Sequence, residues 1–283
     1  MRRVATIAEM RQCRDDWRRQ GLSVALAPTM GFFHEGHLAL MRRAKTLADR
    51  VVVSLFVNPL QFGPNEDLAS YPRDLERDAA LAAEAGVDAL FIPTTSEMYG
   101  ADFQTKVVVS GLSQGLCGAS RPGHFDGVAT VVTKLFHIVA PDVAVFGEKD
   151  FQQLAVLKRM AADLHFNLRI VSQPIVREQD GLAMSSRNSY LTAAERQSAV
   201  CLSQSLALAK QLARDESVSV AAIEQAVTEY IEKQPGFVVE YASVVDGESL
   251  RHADAVGQNS LLALAARVNG RVRLIDNAML RRS

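Results

Sequence analysis

Cysteine is scarce in this sequence, and so are aromatics, charge of one dominant sign and long apolar runs. The three cysteines, Cys13, Cys117 and Cys201, are odd in number and far apart. That excludes a disulfide framework and suits a reducing compartment, so a cytoplasmic location is expected. Lysine plus arginine (31) nearly balance aspartate plus glutamate (32), for a formal net charge of −1. No global field therefore favours nucleic acid or a membrane surface, neither is expected as a partner, and recognition must come from local sites. No uncharged apolar run approaches the roughly 20 residues that span a bilayer. The arginine-rich start is interrupted by Glu9, Asp15 and Asp16 and no apolar segment follows, so no secretory signal is expected. Internal repeats and low-complexity tracts are absent as well.

What is present begins with Leu22 to Ala27, a short apolar run bounded by Gly21 and Pro28 that reads as a buried parallel strand. Leu40, Met41, Ala44, Leu47 and Ala48 then recur at helical spacing, so a helix starts near Gly36. Between them lies Pro28-Thr29-Met30-Gly31-Phe32-Phe33-His34-Glu35-Gly36-His37. A strand feeding a helix N-terminus through a glycine-containing turn is suited to anions, because free backbone N–H groups and the helix dipole converge there. His34 and His37 add donors. A zinc site is the competing reading, but His34-Glu35-Gly36-His37 is one residue short of His-Glu-x-x-His and no third ligand follows at a suitable spacing. No metal ligands are expected among the side chains. The glycines do not fit Gly-x-Gly-x-x-Gly, which argues against a dinucleotide enzyme.

With 283 residues, the chain has length for one large domain or two moderate ones. Helical patterns over 6–20, 72–85, 125–139 and from about 150 alternate with strand patterns over 51–57, 87–92, 142–146 and 168–176. This order predicts an α/β fold, a Rossmann-like doubly wound parallel sheet over 1–176 whose ligands sit at the carboxyl ends of the strands. Beyond Tyr190, helices over 192–213 and 217–234 precede strands over 237–245, 261–268 and 272–275, with a turn at Asn269-Gly270. A smaller α+β domain over 177–283 is expected.

Polar residues collect after the strands. Asn58 and Gln61 follow the second, Gly147-Glu148-Lys149-Asp150-Phe151-Gln152-Gln153 the strand at 142–146, and Met184-Ser185-Ser186-Arg187-Asn188 the last. With His34 and His37 after the first strand, four clusters on one sheet edge favour a site over solvated loops. Lys149 suits phosphate oxygens, with Asp150 either on a ribose hydroxyl or ordering its turn. Gln61 and Gln153 are neutral amides fitted to hydroxyl and carboxylate groups of a small polar substrate. Arg121-Pro122-Gly123-His124-Phe125-Asp126-Gly127 reads equally as a helix start or an additional anion contact.

His34-x-Gly36-His37 after an apolar strand resembles the signature of nucleotidylyltransferases and class I aminoacyl-tRNA synthetases. With Pro28-Thr29-Met30-Gly31 before it, and the strings at 58–63, 121–127, 147–153 and 184–188 in order, the chain resembles the pantothenate synthetase family. Phe32-Phe33 departs from the Ala-Leu expected there. The resemblance implies condensation of pantoate with β-alanine using ATP and Mg²⁺, giving pantothenate, AMP and pyrophosphate through pantoyl adenylate. It implies catalytic roles for His34, His37 and Lys149. ATP contacts would come from Met30, Gly31, Phe32, Phe33, His34, Glu35, Gly36, His37, Gly147, Glu148, Lys149, Asp150, Val176, Met184, Ser185, Ser186 and Arg187. Gln61, Gln153, Asn58 and Arg121 would bind substrate. It further implies a homodimer, a C-terminal domain acting as a lid, and a mobile serine–arginine loop after Gly181. The competing readings are a nucleotidylyltransferase with another acceptor, and a nucleotide-binding regulatory module without turnover.

Overall fold

The apolar runs of the N-terminal part form strands because both faces of each are covered. In the computed structural model, which describes residues 1–64 and 66–280, six of the strands make one sheet. They are β1 (Arg2–Val4), β2 (Val24–Thr29), β3 (Arg50–Leu55), β4 (Ala89–Phe91), β5 (Val143–Gly147) and β6 (Arg169–Gln173), in the order β1-β4-β3-β2-β5-β6. Every neighbouring pair is parallel. On one face Ala25, Ala27, Val51, Val53, Leu90 and Val143 share a core with Leu40, Met41 and Ala44 of α2 (Glu35–Lys45) and Ala79 and Ala82 of α3 (Leu75–Glu84). The alternate residues Leu26, Val52, Ala144 and Phe146 are buried too. There Phe146 meets Phe136 of α6 (His124–Val139) edge-on, 6.4 Å between ring centroids. Double coverage explains why these strands read as continuous rather than alternating apolar runs. The strand order reverses between β2 and β5, so the loops leaving those two strands flank the position where open α/β sheets take their ligands.

The remaining elements follow local rules. Helix α1 (Ile7–Arg19) opens with a Thr6–Glu9 capping box. Short helices α4 (Thr95–Met98) and α5 (Cys117–Ser120) lie in the long connection before α6, and α7 (Phe151–Asp163) joins β5 to β6. Helices α8 (Ala193–Ser198), α9 (Cys201–Leu212) and α10 (Val220–Glu232) precede the antiparallel sheet β7 (Phe237–Asp246), β8 (Ser260–Val268) and β9 (Val272–Leu280). One face of that sheet, including Val244, Leu262, Leu264, Ala266 and Leu274, shares a core with Leu202, Leu206, Ile223, Val227 and Ile231 of α9 and α10.

The chain divides into two compact units. The first comprises Met1–Ser110, Arg121–Glu148 and Gln153–Pro174, the second Gly111–Ser120, Lys149–Gln152 and Ile175–Ser283. Two segments expected inside the first domain thus group with the second unit. Gln152 explains part of this, since its Nε2 donates to the carbonyls of Leu112 (2.9 Å) and Gly115 (2.8 Å) and its Oε1 accepts from Cys117 N at 3.0 Å. Leu116 and Phe151 also pack against Val245, Leu261 and Ala263 on the second face of the small sheet.

Other differences from the sequence reading have local causes. Pro28 is inside β2, not at its boundary: β2 pairs with β5 only through Ala25 and Leu26, so near Pro28 that side has no ladder to lose a donor from. The strand expected to reach Val176 ends at Gln173, where Pro174 follows. The helix expected over 192–213 is two, α8 and α9, and the strand expected over 272–275 continues to Leu280. Strand β1 was not anticipated. Among the described residues no helix is long and apolar enough to cross a membrane, and Cys13, Cys117 and Cys201 are all free.

Candidate active site

The turn after β2 is built by a buried carboxylate. Gly31 and Phe32 adopt positive φ, 88° and 52°, a conformation natural for glycine and costly for phenylalanine. Asp78, in the first turn of α3 and 1% exposed, holds this backbone: its oxygens accept from Phe32 N at 2.6 Å and Phe33 N at 2.7 Å. Burial raises the Asp78 carboxyl above its usual range, opposed by those two N–H bonds. A Cβ on Gly31 would sit 3.1 Å from Asp78 Oδ2. At the start of α2, His34 Nδ1 accepts from Gly36 N at 3.1 Å, and His37 Nδ1 accepts from His34 N at 3.3 Å. The rings lie 4.1 Å apart between centroids. A backbone N–H can only donate, so in each neutral imidazole Nδ1 is the acceptor and Nε2 carries the proton. The expectation of free backbone N–H groups needs correcting here. The amides of Phe32, Phe33, His34 and Gly36 are satisfied by side chains.

The turn after β3 is built by a buried amide. Asn58 is 1% exposed and caps the Pro59–Gln61 3₁₀ turn, its Oδ1 accepting from Leu60 N (3.3 Å) and from Tyr99 Oη (2.7 Å). Its Nδ2 donates to Gln61 Oε1 and to Gly127 O, each at 3.1 Å. Gln61 Nε2 points its other way, to Met30 Sδ at 3.1 Å, which ties this turn to the histidine turn. Arg121 is not a free cation: Nε and Nη2 grip the two Glu66 oxygens at 2.6 Å each. Burial pushes the Glu66 carboxyl up, but the Arg121 guanidinium outweighs it and holds the group at about 2.

In the second unit, the stretch before the serines forms a hairpin. Arg177 and Ala183 form an antiparallel bridge, Met184 N donates to Val176 O at 3.0 Å, and Gly181 turns at φ 94°. Arg177 braces it, donating to Asp276 Oδ2 (2.6 Å) and Oδ1 (2.9 Å) and to Gly181 O (3.0 Å). Ser185 Oγ caps the next turn by accepting from Arg187 N at 3.3 Å, and Ser186 is buried. Lys149 is half-buried, its carbonyl held by Asn277 Nδ2 at 3.0 Å.

Comparison with known proteins decides what this constellation belongs to. A family model described as pantoate–β-alanine ligase matches residues 2–279. The chain belongs to the pantoate–β-alanine ligase family. It is 53% identical over 286 residues to the pantothenate synthetase of Desulfotalea psychrophila, covering 99% of both chains. It also matches the crystal structure of pantothenate synthetase from Thermus thermophilus, with TM-score 0.93 and 46% identity over 99% of this chain and 100% of that one. The pantoate–β-alanine ligase of Francisella tularensis, solved with β,γ-ATP and β-alanine, gives TM-score 0.83 and 32% identity over 99% and 97%.

As a pantoate–β-alanine ligase family member, the chain keeps most expected site residues on strand ends. The structure brings together Met30 and Gln61, His34 and His37, and Asn58 with Gln61. Gly147 closes β5, Glu148 Oε1 accepts from Ser172 Oγ at 2.7 Å, and Gln153 lies in the first turn of α7. Lys149, Asp150, Val176, Met184, Ser185, Ser186 and Arg187 belong to the second unit. Among the described residues no group of three or more His, Cys, Asp or Glu could hold a metal ion. Sequence reasoning missed Asp78 and Glu66. A signal for Asp78 was available: it lies four residues before Ala82, so a carboxylate occupies the apolar stripe of α3.

Proposed function

We propose that this chain joins pantoate to β-alanine in two steps, with His34 and His37 as the donors that stabilise phosphate charge. A carboxylate ionises near pH ~4, so pantoate is a nucleophile at neutral pH without a catalytic base. Its oxygen forms a bond to the α-phosphorus of ATP while the α–β bridging bond breaks and pyrophosphate leaves. The amine of β-alanine then attacks the acyl carbon of pantoyl adenylate, AMP departs, and the nitrogen loses its proton. What has to be stabilised is anionic charge. The observation that carries the reading is the reciprocal histidine cap, which fixes both Nε2–H donors beside the position where the strand order reverses. Loss of one such donor costs on the order of 10²–10³ in kcat.

The other roles follow the same chemistry. Lys149, Ser185, Ser186 and Arg187 bind the phosphates, with Gly147, Glu148, Asp150, Val176 and Met184 lining the nucleotide. Gln61 and Gln153 read pantoate through neutral amides. Asn58 and Arg121, expected on substrate, are assigned to the scaffold of Gln61, because Asn58 is buried and Arg121 is paired with Glu66 through both oxygens. Mg²⁺ comes with the ATP phosphates, since the described residues offer no cluster for it, and no step is assigned to it. A cytoplasmic homodimer fits the three free cysteines and the family resemblance.

The test is isotope exchange. With pantoate and no β-alanine, labelled pyrophosphate should enter ATP. Absence of exchange, together with full turnover once β-alanine is added, would replace the adenylate by a concerted reaction.

A further inference from the structure

The Arg121–Gly127 stretch ends on the main chain of Gln61. The Gln61 carbonyl accepts from His124 Nδ1 at 2.8 Å and from Arg121 Nη2 at 3.2 Å. His124 Nε2 lies 3.0 Å from Arg121 Nη1. A guanidinium only donates and a carbonyl only accepts, so the neutral His124 ring takes a proton contact at Nε2 and gives one from Nδ1. The direction of the chain is thereby set. Glu66 fixes Arg121, Arg121 orients His124, and both hold the carbonyl of the residue whose side chain faces Met30 and Asn58. Gly127, one turn into α6, lets the helix approach so closely that a Cβ there would overlap Leu60 O and lie 2.6 Å from Gln61 N. Two side chains thus hold the Gln61 carbonyl, and the missing side chain of Gly127 brings α6 against the peptide unit just before it.

We infer that Arg121 and His124 form a latch, positioning residues that set the Gln61 amide for the acceptor acid without touching it. This rests on the assignment of Gln61 to pantoate. Rotating the Gln61 peptide displaces its amide, and a misplacement of about 1 Å can cost on the order of 10²-fold in rate. A latch that only stabilised the fold would lower the melting temperature and leave KM values of the folded enzyme alone.

The experiment compares wild type with Gln61→Ala, His124→Ala, His124→Asn and the Gln61→Ala/His124→Ala double variant in the full chain, measuring KM for pantoate and for ATP, kcat and melting temperature. His124→Ala should raise the pantoate KM roughly ten-fold, about 1.4 kcal/mol, with ATP KM near wild type. His124→Asn, whose amide nitrogen can stand in for Nδ1–H, should recover most of that loss. The double variant should be no worse toward pantoate than Gln61→Ala alone, because the latch acts through Gln61. Independent, multiplying effects in the double variant would overturn the latch, as would a wild-type pantoate KM in His124→Ala while Gln61→Ala is impaired. An unchanged pantoate KM in Gln61→Ala would overturn the assignment of Gln61 and the latch with it. Should His124→Ala not fold, Glu66→Gln loosens Arg121 and is read by the same criteria.

Discussion

The turn after β2 and the turn after β3 leave neighbouring strands of one sheet, yet opposite chemistry holds them. At the histidine turn the backbone offers donors, and acceptors on side chains take them: Asp78 for Phe32 and Phe33, imidazole nitrogens for His34 and Gly36. At the Gln61 turn the backbone offers an acceptor, and Arg121 and His124 supply the donors. Both turns satisfy their own main chain, as half-buried backbone must. Under the proposed function, recognition is then left to side chains, N–H donors for phosphate in one turn and a neutral amide for a small acid in the other. The anchors differ in charge state too. Asp78 takes neutral N–H donors and its carboxyl is raised by burial, whereas Glu66 is paired with a guanidinium and lowered.

The sharpest way to break one turn and spare the other is Gly127→Ala. The added methyl meets Leu60 and Gln61 backbone rather than a flexible side-chain end, so α6 and the turn must separate. Overpacking of this kind costs about 1–3 kcal/mol. The Asn58 bond to Gly127 O stretches with it. Pantoate KM should rise by more than in any latch variant, while ATP affinity measured by calorimetry stays near wild type. A matching loss of ATP affinity would mean that the two turns move as one.

Asp78→Asn tests the other side. One amide oxygen can serve Phe32 N or Phe33 N, and the remaining N–H then faces an NH₂ group. Leaving a buried donor unmet costs about 1–3 kcal/mol, partly offset because a buried charge is removed. Melting temperature should fall, and kcat should fall more than pantoate affinity, since the histidine rings lose their fixed base. A rise in pantoate KM with unchanged kcat would reverse the assignment of the two turns.

How much of this the sequence made legible depends on the range of the forces involved. The parallel sheet could be read because each strand carries its own apolar run and each helix its own periodicity. The histidine and glutamine turns could be located because they sit where those patterns stop. Asp78 stands out locally only as a carboxylate on the apolar stripe of α3 and Glu66 not at all, and neither partner could be assigned, because Asp78 acts on Phe32, 46 positions away, and Glu66 on Arg121, 55 positions away. The same limit explains why the stretch from Arg121 read equally as a helix start or an anion contact. Its cation is visible in sequence and its partner is not. The segments Gly111–Ser120 and Lys149–Gln152 join the second unit through Gln152 and apolar packing, again contacts between distant stretches.

Acid provides the smallest and most selective test of the comparison. For Glu66 the sign is that of a depressed carboxyl: lowered from 4.5 to about 2, it contributes stability that is fully present above pH 4.5 and is lost as pH falls through about 2. Asp78 behaves oppositely. Its carboxyl is raised in the fold, so protonation on acidification relieves a cost of burial that outweighs the weakening of its N–H bonds. Acid should therefore remove the Glu66–Arg121 pair behind the Gln61 turn while relieving burial at Asp78. The effect is modest, because Glu66 and Arg121 keep 22% and 11% side-chain exposure and solvent screens the pair. The measurement is the melting temperature of wild type against Glu66→Gln across that acid range. The variant should be less stable at pH 5 and above, and the gap should close toward pH 2 as wild type loses the same pair. A gap that stays constant over the range would show that Glu66 holds Arg121 without its charge, and the contrast between an anchor hydrogen-bonded to a guanidinium and one hydrogen-bonded to backbone N–H groups would fall.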